Sequence, residues 1–226
     1  MGTLKEKDKV VTVTERLELL KKVVSVFNTY GINYWLEFGT LLGYHRDDAF
    51  IPYDADIDIA THDYHLVKKH IDSLKKIGMI EEVYEWTDDI STIFRVYSDN
   101  IHIDIYDFKD IHDYSVLKCN RFEGVSSIFR HLYLQLKKRG IVSNAILKLG
   151  VILSQKRVFY YPHVITKKVK FYDLDVRVPV DPEKHLLLMY GKTWRTPRTD
   201  DVAGTENIWK RKGKTIYYKL GGEKDK

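Results

Sequence analysis

Three aspartates alternate with apolar residues in the short segment Asp54-Ala55-Asp56-Ile57-Asp58. Strict alternation is the period of a β-strand, so the pattern predicts a strand with all three carboxylates on one face. Neighbouring carboxylates repel one another, and a hard divalent cation offsets that repulsion by binding their oxygens. An extended strand separates Asp54 from Asp58 by roughly 13 Å, so we expect two of the three aspartates to bind one ion.

Two alternatives for this acidic segment are an exposed edge strand and a calcium loop. Acidic residues can protect an edge strand from aggregation, but the apolar alternate face favours a strand set into a core. The Asp-x-Asp-x-Asp spacing also matches the first ligands of an EF-hand. However, Ile59 stands where that loop needs glycine, and His65 stands where it needs glutamate. The segment therefore predicts a metal-binding strand.

A fourth aspartate, Asp104, lies in a second alternating segment, residues 102–108. A strand of this kind can run beside the first and present Asp104 to the same side of the sheet. There the carboxylate would complete a metal site or accept a proton from an attacking hydroxyl. The alternative is an ordinary solvent-facing aspartate in an alternating strand.

Residues 32–44 predict a strand, a tight turn and the start of a helix, with Gly39 and Thr40 at the turn. Glycine lets the backbone approach a ligand closely, and Thr40 offers a hydroxyl and backbone amides to a phosphate. The lysine of a Walker-type phosphate loop is missing. The alternative is a glycine that only the turn itself requires.

The elements that must position these residues follow from the periodicity of the chain. A helix is expected over residues 15–30, with Thr14 as its cap and Gly31 as its stop. The order of the remaining elements predicts an α/β (α+β) fold, a mixed sheet flanked by helices. These are a helix over 62–77, strands over 93–97 and 101–108, helical structure over 126–154, a hairpin over 169–178 turning near Asp173, and a last helix over 183–190 that Pro182 starts and Gly191 stops.

Composition indicates a folded chain, because 44% of its 226 residues are hydrophobic and 13% are aromatic. The formal charge of +5 favours anionic partners without indicating nucleic acid. Cys119 is the single cysteine, which excludes an internal disulfide and a cysteine-rich zinc site. No signal peptide or membrane span is predicted, so we expect a cytoplasmic protein. The oligomeric state is left open.

Two motifs together resemble the signature of the LicD/fukutin-like family. Residues 34–46 read YWLEFGTLLGYHR, and residues 51–58 read IPYDADID. The family pattern is glycine, a small hydroxyl residue, two apolar residues, glycine, an arginine three residues on, and then Ile-Pro-aromatic-Asp-x-Asp-apolar-Asp. The resemblance implies that the chain belongs to the nucleotidyltransferase superfamily. Members of the LicD/fukutin-like family transfer phosphocholine or ribitol phosphate from a CDP-linked donor to a glycan.

Carried over by motif position, the resemblance assigns roles to eight residues. Asp56 and Asp58 correspond to the metal-binding pair, and Asp104 corresponds to the later strand carboxylate. The nucleotide-side residues are Gly39, Thr40, Arg46, Tyr53 and Asp54, of which Tyr53 departs from the usual tryptophan. The implied domain organisation is a nucleotidyltransferase-like core over residues 1–120, with a mostly helical and hairpin elaboration over 121–226 that completes the substrate site.

The implied activity is that of a Mg²⁺-dependent phosphotransferase, with Mn²⁺ as the alternative metal. It would move a phosphocholine, ribitol phosphate or glycerol phosphate type of group from a CDP-linked donor to a hydroxyl of a glycan or polyol acceptor, releasing CMP. Two alternatives stay open: a nucleotidyltransferase that attaches a nucleoside monophosphate to a small molecule, and an inactive binding module. No nucleic acid partner and no membrane span are expected.

Overall fold

The acidic segment lies inside a five-stranded mixed sheet, which we describe from a computed structural model. Its strands are β1 (Trp35–Leu36), β2 (Asp56–Thr61), β3 (Met79–Glu82), β4 (Ile93–Ser98) and β5 (Ile101–Asp107), in the order β1-β2-β5-β4-β3. β2 and β5 are parallel, whereas the other neighbours are antiparallel. The structure describes residues 11–52, 54, 56–82, 93–98, 101–121, 144–153, 155–197, 210–212 and 215–219, and single positions between 125 and 136.

β2 is an inner strand, because β1 pairs with one side of it and β5 with the other. Its apolar residues Ile57 and Ile59 are fully buried in the main core, as are Ile103 and Ile105 of β5. The predicted alternation is therefore confirmed, and the exposed-edge alternative is wrong. The face opposite this core carries the aspartates.

Four helices accompany this sheet: α1 (Val13–Thr29), α2 (Phe38–Asp47), α3 (Tyr64–Lys69) and α4 (Ile71–Lys75). The predicted cap of α1 is wrong by two residues. Thr12 caps the helix, because its side chain and that of Glu15 form a reciprocal capping box. Gly31 follows the helix with a φ of +66°, which agrees with its predicted role as the stop. The helix predicted over residues 62–77 is divided into α3 and α4 at His70.

A second five-stranded sheet packs around a smaller core. Its strands are β6 (Lys109–Ile111), β7 (Tyr114–Arg121), β8 (Gln155–Pro162), β11 (Lys210–Lys212) and β12 (Thr215–Lys219), in the order β11-β12-β8-β7-β6. The core contains Trp35, Phe108, Phe159 and Tyr161. The sheet joins strands from both sides of residue 120, and the predicted division of domains at that residue stays a prediction. β7 and β8 were not predicted, because the pattern of residue types within one segment does not show that it pairs with a distant segment.

The second half also contains helix α5 (Asn144–Leu153), the hairpin β9 (Thr166–Phe171) and β10 (Leu174–Pro179), and helix α6 (Pro182–Tyr190). The hairpin and α6 are confirmed. Asp181 caps α6 by accepting from the Lys184 backbone N–H, and Gly191 ends it with a φ of +79°. Most of residues 122–143 lie outside the described part, so the helix predicted there is untested. No helix among the described residues is long and apolar enough to cross a membrane.

Candidate metal centre

The parallel pairing of β2 with β5 brings the predicted metal ligands together. Asp58 is the direct partner of Asp104 in this register, and Asp56 is the partner of His102. Asp58 and Asp104 are buried, whereas Asp56 is half-buried. The structure thus places the three aspartates that we expect to hold the metal on one face of two adjoining strands.

Asp54 joins this cluster, which corrects the expectation that it lies too far from Asp58. Oxygens of Asp54, Asp56 and Asp58 all lie within 4.8 Å of one another. The predicted distance assumed an extended strand, but β2 begins only at Asp56 and the chain turns before it. In that turn the Asp54 backbone N–H donates to the carbonyl of Ile51 at 3.1 Å. Arg16 of α1 fixes the same carbonyl with a hydrogen bond of 2.9 Å.

The first turn of α2 holds Asp58 at three points. The Gly39 backbone N–H donates to Oδ2 of Asp58 at 3.2 Å, and the Asp58 N–H donates to the Thr40 hydroxyl at 2.8 Å. The Glu37 N–H donates to the Asp58 carbonyl at 3.0 Å. Thr40 is buried and its hydroxyl faces β2, so its side chain positions the aspartate strand. The predicted contact of this turn with a phosphate stays a prediction.

Aromatic residues cover the buried side of Asp58. The Tyr106 hydroxyl donates to Oδ1 of Asp58 at 3.1 Å, and the ring of Phe38 packs edge-on against Tyr106 with 4.8 Å between centroids. Burial, with the charge of Asp58 beside it, raises the pKa of Tyr106, so its hydroxyl keeps the proton that it donates. Phe38 adopts a φ of +42°, a rare conformation for a residue with a side chain, at the point where the chain enters α2.

Arg95 of β4, the strand that pairs with β5, forms two hydrogen bonds with Asp104. Nε donates to Oδ1 and Nη2 donates to Oδ2, both at 2.6 Å. These hydrogen bonds raise the pKa of Arg95, so the guanidinium stays charged. His102 lies two residues before Asp104 on β5, with Nε2 at 4.0 Å from Oδ1 of Asp104 and 3.6 Å from Oδ2 of Asp56. Neither Arg95 nor His102 was predicted as a site residue from the sequence, because only the strand register shows what they face.

The electrostatics of the cluster favour a bound cation. Burial, followed by the charges of Asp56, Asp104 and Asp54, raises the pKa of Asp58 well above its usual value. Burial and a hydrogen bond with Asp56 raise the pKa of Asp54 to about 7. The His102 imidazole, with help from Asp54, lowers the pKa of Asp56 to about 2. Without a cation, Asp54 and Asp58 therefore hold their protons more tightly than usual, and a divalent ion that replaces these protons would fit the cluster.

A buried pair behind α2 supports the turn that holds Asp58. The Glu37 carboxylate is fully buried and accepts hydrogen bonds from Nε1 of Trp35 and from Nε2 of His185, the latter at 3.0 Å. His185 belongs to α6 and stacks on the ring of Tyr161 at 4.4 Å. This pair ties the second half of the chain to the residue that precedes Phe38. No local sequence signal could have found it, since its members lie 148 residues apart.

The remaining predicted nucleotide-side residues are Arg46 and Tyr53. Arg46 lies in the last turn of α2, and its guanidinium pairs with Asp47, with 2.9 Å between Nη2 and Oδ2. Tyr53 lies outside the described residues. Gly39, Thr40 and Asp54 are all at the centre, as described above. Their roles toward a nucleotide stay predictions.

Comparison with known proteins gives one family match that spans every candidate residue. The model of the LicD/FKTN/FKRP nucleotidyltransferase domain matches residues 31–142, about half of the chain. A solved structure of the lincosamide antibiotic adenylyltransferase LnuA, lincomycin-bound, overlaps 75% of this chain and 83% of its own at a TM-score of 0.40 and 14% identity.

Individual relatives share low sequence identity with this chain or match only part of it. Ribitol-5-phosphate transferase FKTN of Macaca fascicularis is 25% identical over 193 residues, which cover 80% of this chain and 33% of that protein. The uncharacterized protein T07A5.1 of Caenorhabditis elegans is 32% identical over 108 residues, or 43% of this chain and 27% of that protein. The chain thus spans about a third of the length of its fukutin relatives. The two sequence motifs, the mixed α/β fold that presents their aspartates and the matched domain place this chain in the LicD/fukutin-like family.

Proposed function

We propose that this protein is a metal-dependent phosphotransferase. It moves a substituted phosphate group, of the phosphocholine, ribitol phosphate or glycerol phosphate type, from a CDP-linked donor to a hydroxyl of a glycan or polyol acceptor and releases CMP. The observation that carries the proposal is the convergence of Asp56, Asp58 and Asp104 on one face of β2 and β5, with Asp54 beside Asp56 and Asp58. The relatives named ribitol-5-phosphate transferases support the class of group transferred.

The reaction is a displacement at phosphorus. The acceptor oxygen forms a bond to the phosphorus of the transferred group, the bond from that phosphorus to the bridging oxygen breaks, and the oxygen leaves with CMP. The acceptor hydroxyl loses its proton in the same process, and this proton is released to solvent. A Mg²⁺ or Mn²⁺ ion would neutralise the diphosphate as negative charge builds on the leaving oxygen. The residues proposed to hold this ion are Asp56, Asp58 and Asp104, with Asp54 beside them.

The hydrogen bonds of Asp58 and Asp104 indicate what each carboxylate can do in the reaction. Asp58 receives one hydrogen bond on each oxygen, from Gly39 and Tyr106, which fix its orientation while leaving lone pairs for a metal. Both oxygens of Asp104 accept hydrogen bonds from Arg95. A carboxylate held in this way is better suited to orienting a metal than to taking the acceptor proton. We therefore favour the metal-holding role of Asp104 over its role as a general base.

The direct test is product analysis with CDP-choline, CDP-ribitol, CDP-glycerol and nucleoside triphosphates, each with Mg²⁺, Mn²⁺ or chelator and a panel of polyols and glycosides. Acceptor-dependent release of CMP from a CDP-linked donor, lost with chelator, is the expected result. Release of pyrophosphate from a nucleoside triphosphate would instead establish a nucleotidyltransferase. If a donor raises the thermal midpoint without any turnover, the binding-module alternative is correct.

A further inference from the structure

A second group of potential metal-ligand atoms shares Asp56 with the group formed by Asp54, Asp56 and Asp58. Atoms of Asp56, His102 and Asp104 all lie within 4.8 Å of one another, as do those of Asp54, Asp56 and Asp58. The first of these groups contains an imidazole nitrogen, which the family motif does not include. Strand pairing puts His102 there, because it stands opposite Asp56 in the register of β2 and β5.

Nε2 of His102 is buried and has no hydrogen-bond partner among the described residues. A buried polar atom without a partner is costly, so such atoms usually bind something. Its nearest acidic atoms, Oδ2 of Asp56 at 3.6 Å and Oδ1 of Asp104 at 4.0 Å, are too far for a hydrogen bond. These separations fit two ligands of one ion, because metal–ligand bonds of about 2.1 Å put ligand atoms roughly 3.0–4.2 Å apart.

The neighbours of His102 hold this arrangement in place. The ring of Tyr97 on β4 lies tilted against the imidazole, with 5.4 Å between centroids. Arg95 of the same strand orients Asp104 through both oxygens. Hydrogen bonds of this kind to a ligating carboxylate are the usual support of a metal site. The imidazole nitrogen and the two carboxylates are therefore presented by rigid strands.

We propose that Nε2 of His102 is a metal ligand and that this nitrogen makes the centre bind Mn²⁺ more tightly than Mg²⁺. The proposal rests on the metal centre of the proposed function and refines it. Mg²⁺ binds almost wholly through oxygen, whereas transition ions accept imidazole as well as carboxylate. The alternative is that His102 only forms an ion pair with Asp56, in which case it would neutralise charge but contact no ion.

Electron spin-echo modulation of bound Mn²⁺ distinguishes these cases, because the ion reports directly on coordinated nitrogen. We expect a nitrogen modulation in the unsubstituted chain that changes when the protein is labelled with ¹⁵N-histidine. This labelled sample needs no substitution, so a folding defect cannot obscure it. His102→Gln should abolish the modulation and weaken Mn²⁺ binding about tenfold or more, with a smaller effect on Mg²⁺. His70→Gln is the matched control, since His70 stacks on Tyr30 at the surface of α3 and α4.

The outcomes separate this proposal from the proposed function. Modulation that is lost in His102→Gln and kept in His70→Gln supports the nitrogen ligand. Bound Mn²⁺ without histidine modulation, or modulation that survives His102→Gln, overturns it and leaves the phosphotransferase proposal intact. If the spectrum shows only free Mn²⁺ at saturating protein, the nitrogen ligand and the metal centre both fail. Competition with Mg²⁺ in the same samples measures the preference, and equal affinity for the two ions contradicts the selectivity.

Discussion

Gly39 lies directly against Asp54: a methyl group on the Cα of Gly39 would come within 2.2 Å of Oδ2 of Asp54. Gly39→Ala should therefore push the Asp54 carboxylate away from Asp56 and Asp58. We expect weaker Mn²⁺ binding and a loss of about 100-fold or more in transfer activity, since displacements near 1 Å are enough to cause losses of this size. Metal titration and steady-state turnover measure the two effects.

The matched control for Gly39→Ala is Gly31→Ala. Gly31 has a φ of +66° and open space where a Cβ would stand. Alanine there strains the backbone and costs about 1 kcal/mol of stability, but it touches no carboxylate. Normal metal affinity in Gly39→Ala would show that Asp54 can move without consequence and would remove it from the metal centre.

Asp58→Asn should separate stability from activity. The amide removes a carboxylate whose pKa burial and three acidic neighbours raise, so the variant should unfold at a higher temperature than the parent in chelator. It should also lose metal binding and transfer. Thermal unfolding with and without Mn²⁺ shows both effects, because added metal should stabilise the parent and leave the variant unchanged.

Asp72→Asn serves as the control for that substitution. Asp72 is exposed on α4 and pairs with Lys75 at 2.7 Å, a surface interaction of little energetic value. Its loss should change neither turnover nor the response to metal. An Asp58→Asn protein with parental turnover in Mg²⁺ would contradict the assignment of Asp58 as a ligand.

Arg95→Gln tests how much the stability of the protein depends on the ion pair between Asp104 and Arg95 of β4. The substitution leaves a buried carboxylate without its cation, which we expect to cost about 2 kcal/mol or more. The loss of stability should be smaller in the presence of saturating Mn²⁺, because the ion replaces part of the lost positive charge. Urea unfolding with and without metal measures this, and Lys75→Gln, which breaks the exposed pair with Asp72, should cost far less. Equal losses in the two variants would show that Arg95 does not support the centre.

The sequence predicted the parts of the metal centre that depend on the alternation of acidic and apolar residues within one strand. Alternation placed Asp56 and Asp58 on one face of a strand, and a second alternating segment offered Asp104 to the same side. These predictions succeed because a strand's two faces follow directly from the order of its residues. The hairpin β9–β10 and helix α6 were predictable for the same kind of reason, from turn residues, Pro182 and Gly191.

What the sequence could not reveal depends on pairing between distant segments. His102 and Arg95 face the carboxylates only because β5 pairs with both β2 and β4 in a particular register. The Glu37–His185 pair requires α6 to pack behind α2. Asp54 was misplaced because the strand begins two residues later than its alternation suggested. Local patterns carry no information about any of these long-range arrangements.

Metal binding should release protons from the acidic cluster. Burial and the hydrogen bond with Asp56 raise the pKa of Asp54 to about 7, far above the value of 3.8 that it has when unfolded. The native protein without metal therefore binds a proton that the unfolded chain has lost between about pH 4 and pH 7. Its stability in chelator should fall as the pH rises through this window, because ionising Asp54 in the native state is unfavourable.

A divalent ion needs the ionised carboxylate, so it should displace the Asp54 proton. We expect metal binding to release protons from Asp54 and from Asp58, whose pKa is also raised, and to release fewer from Asp54 at pH 8.5 than at pH 6. Calorimetry in two buffers of different ionisation enthalpy counts the protons at each pH. Asp54→Asn should reduce the pH dependence, whereas Asp72→Asn should keep it. Identical binding heats in both buffers at pH 6 would mean that no proton leaves, and that Asp54 is already ionised before the metal arrives.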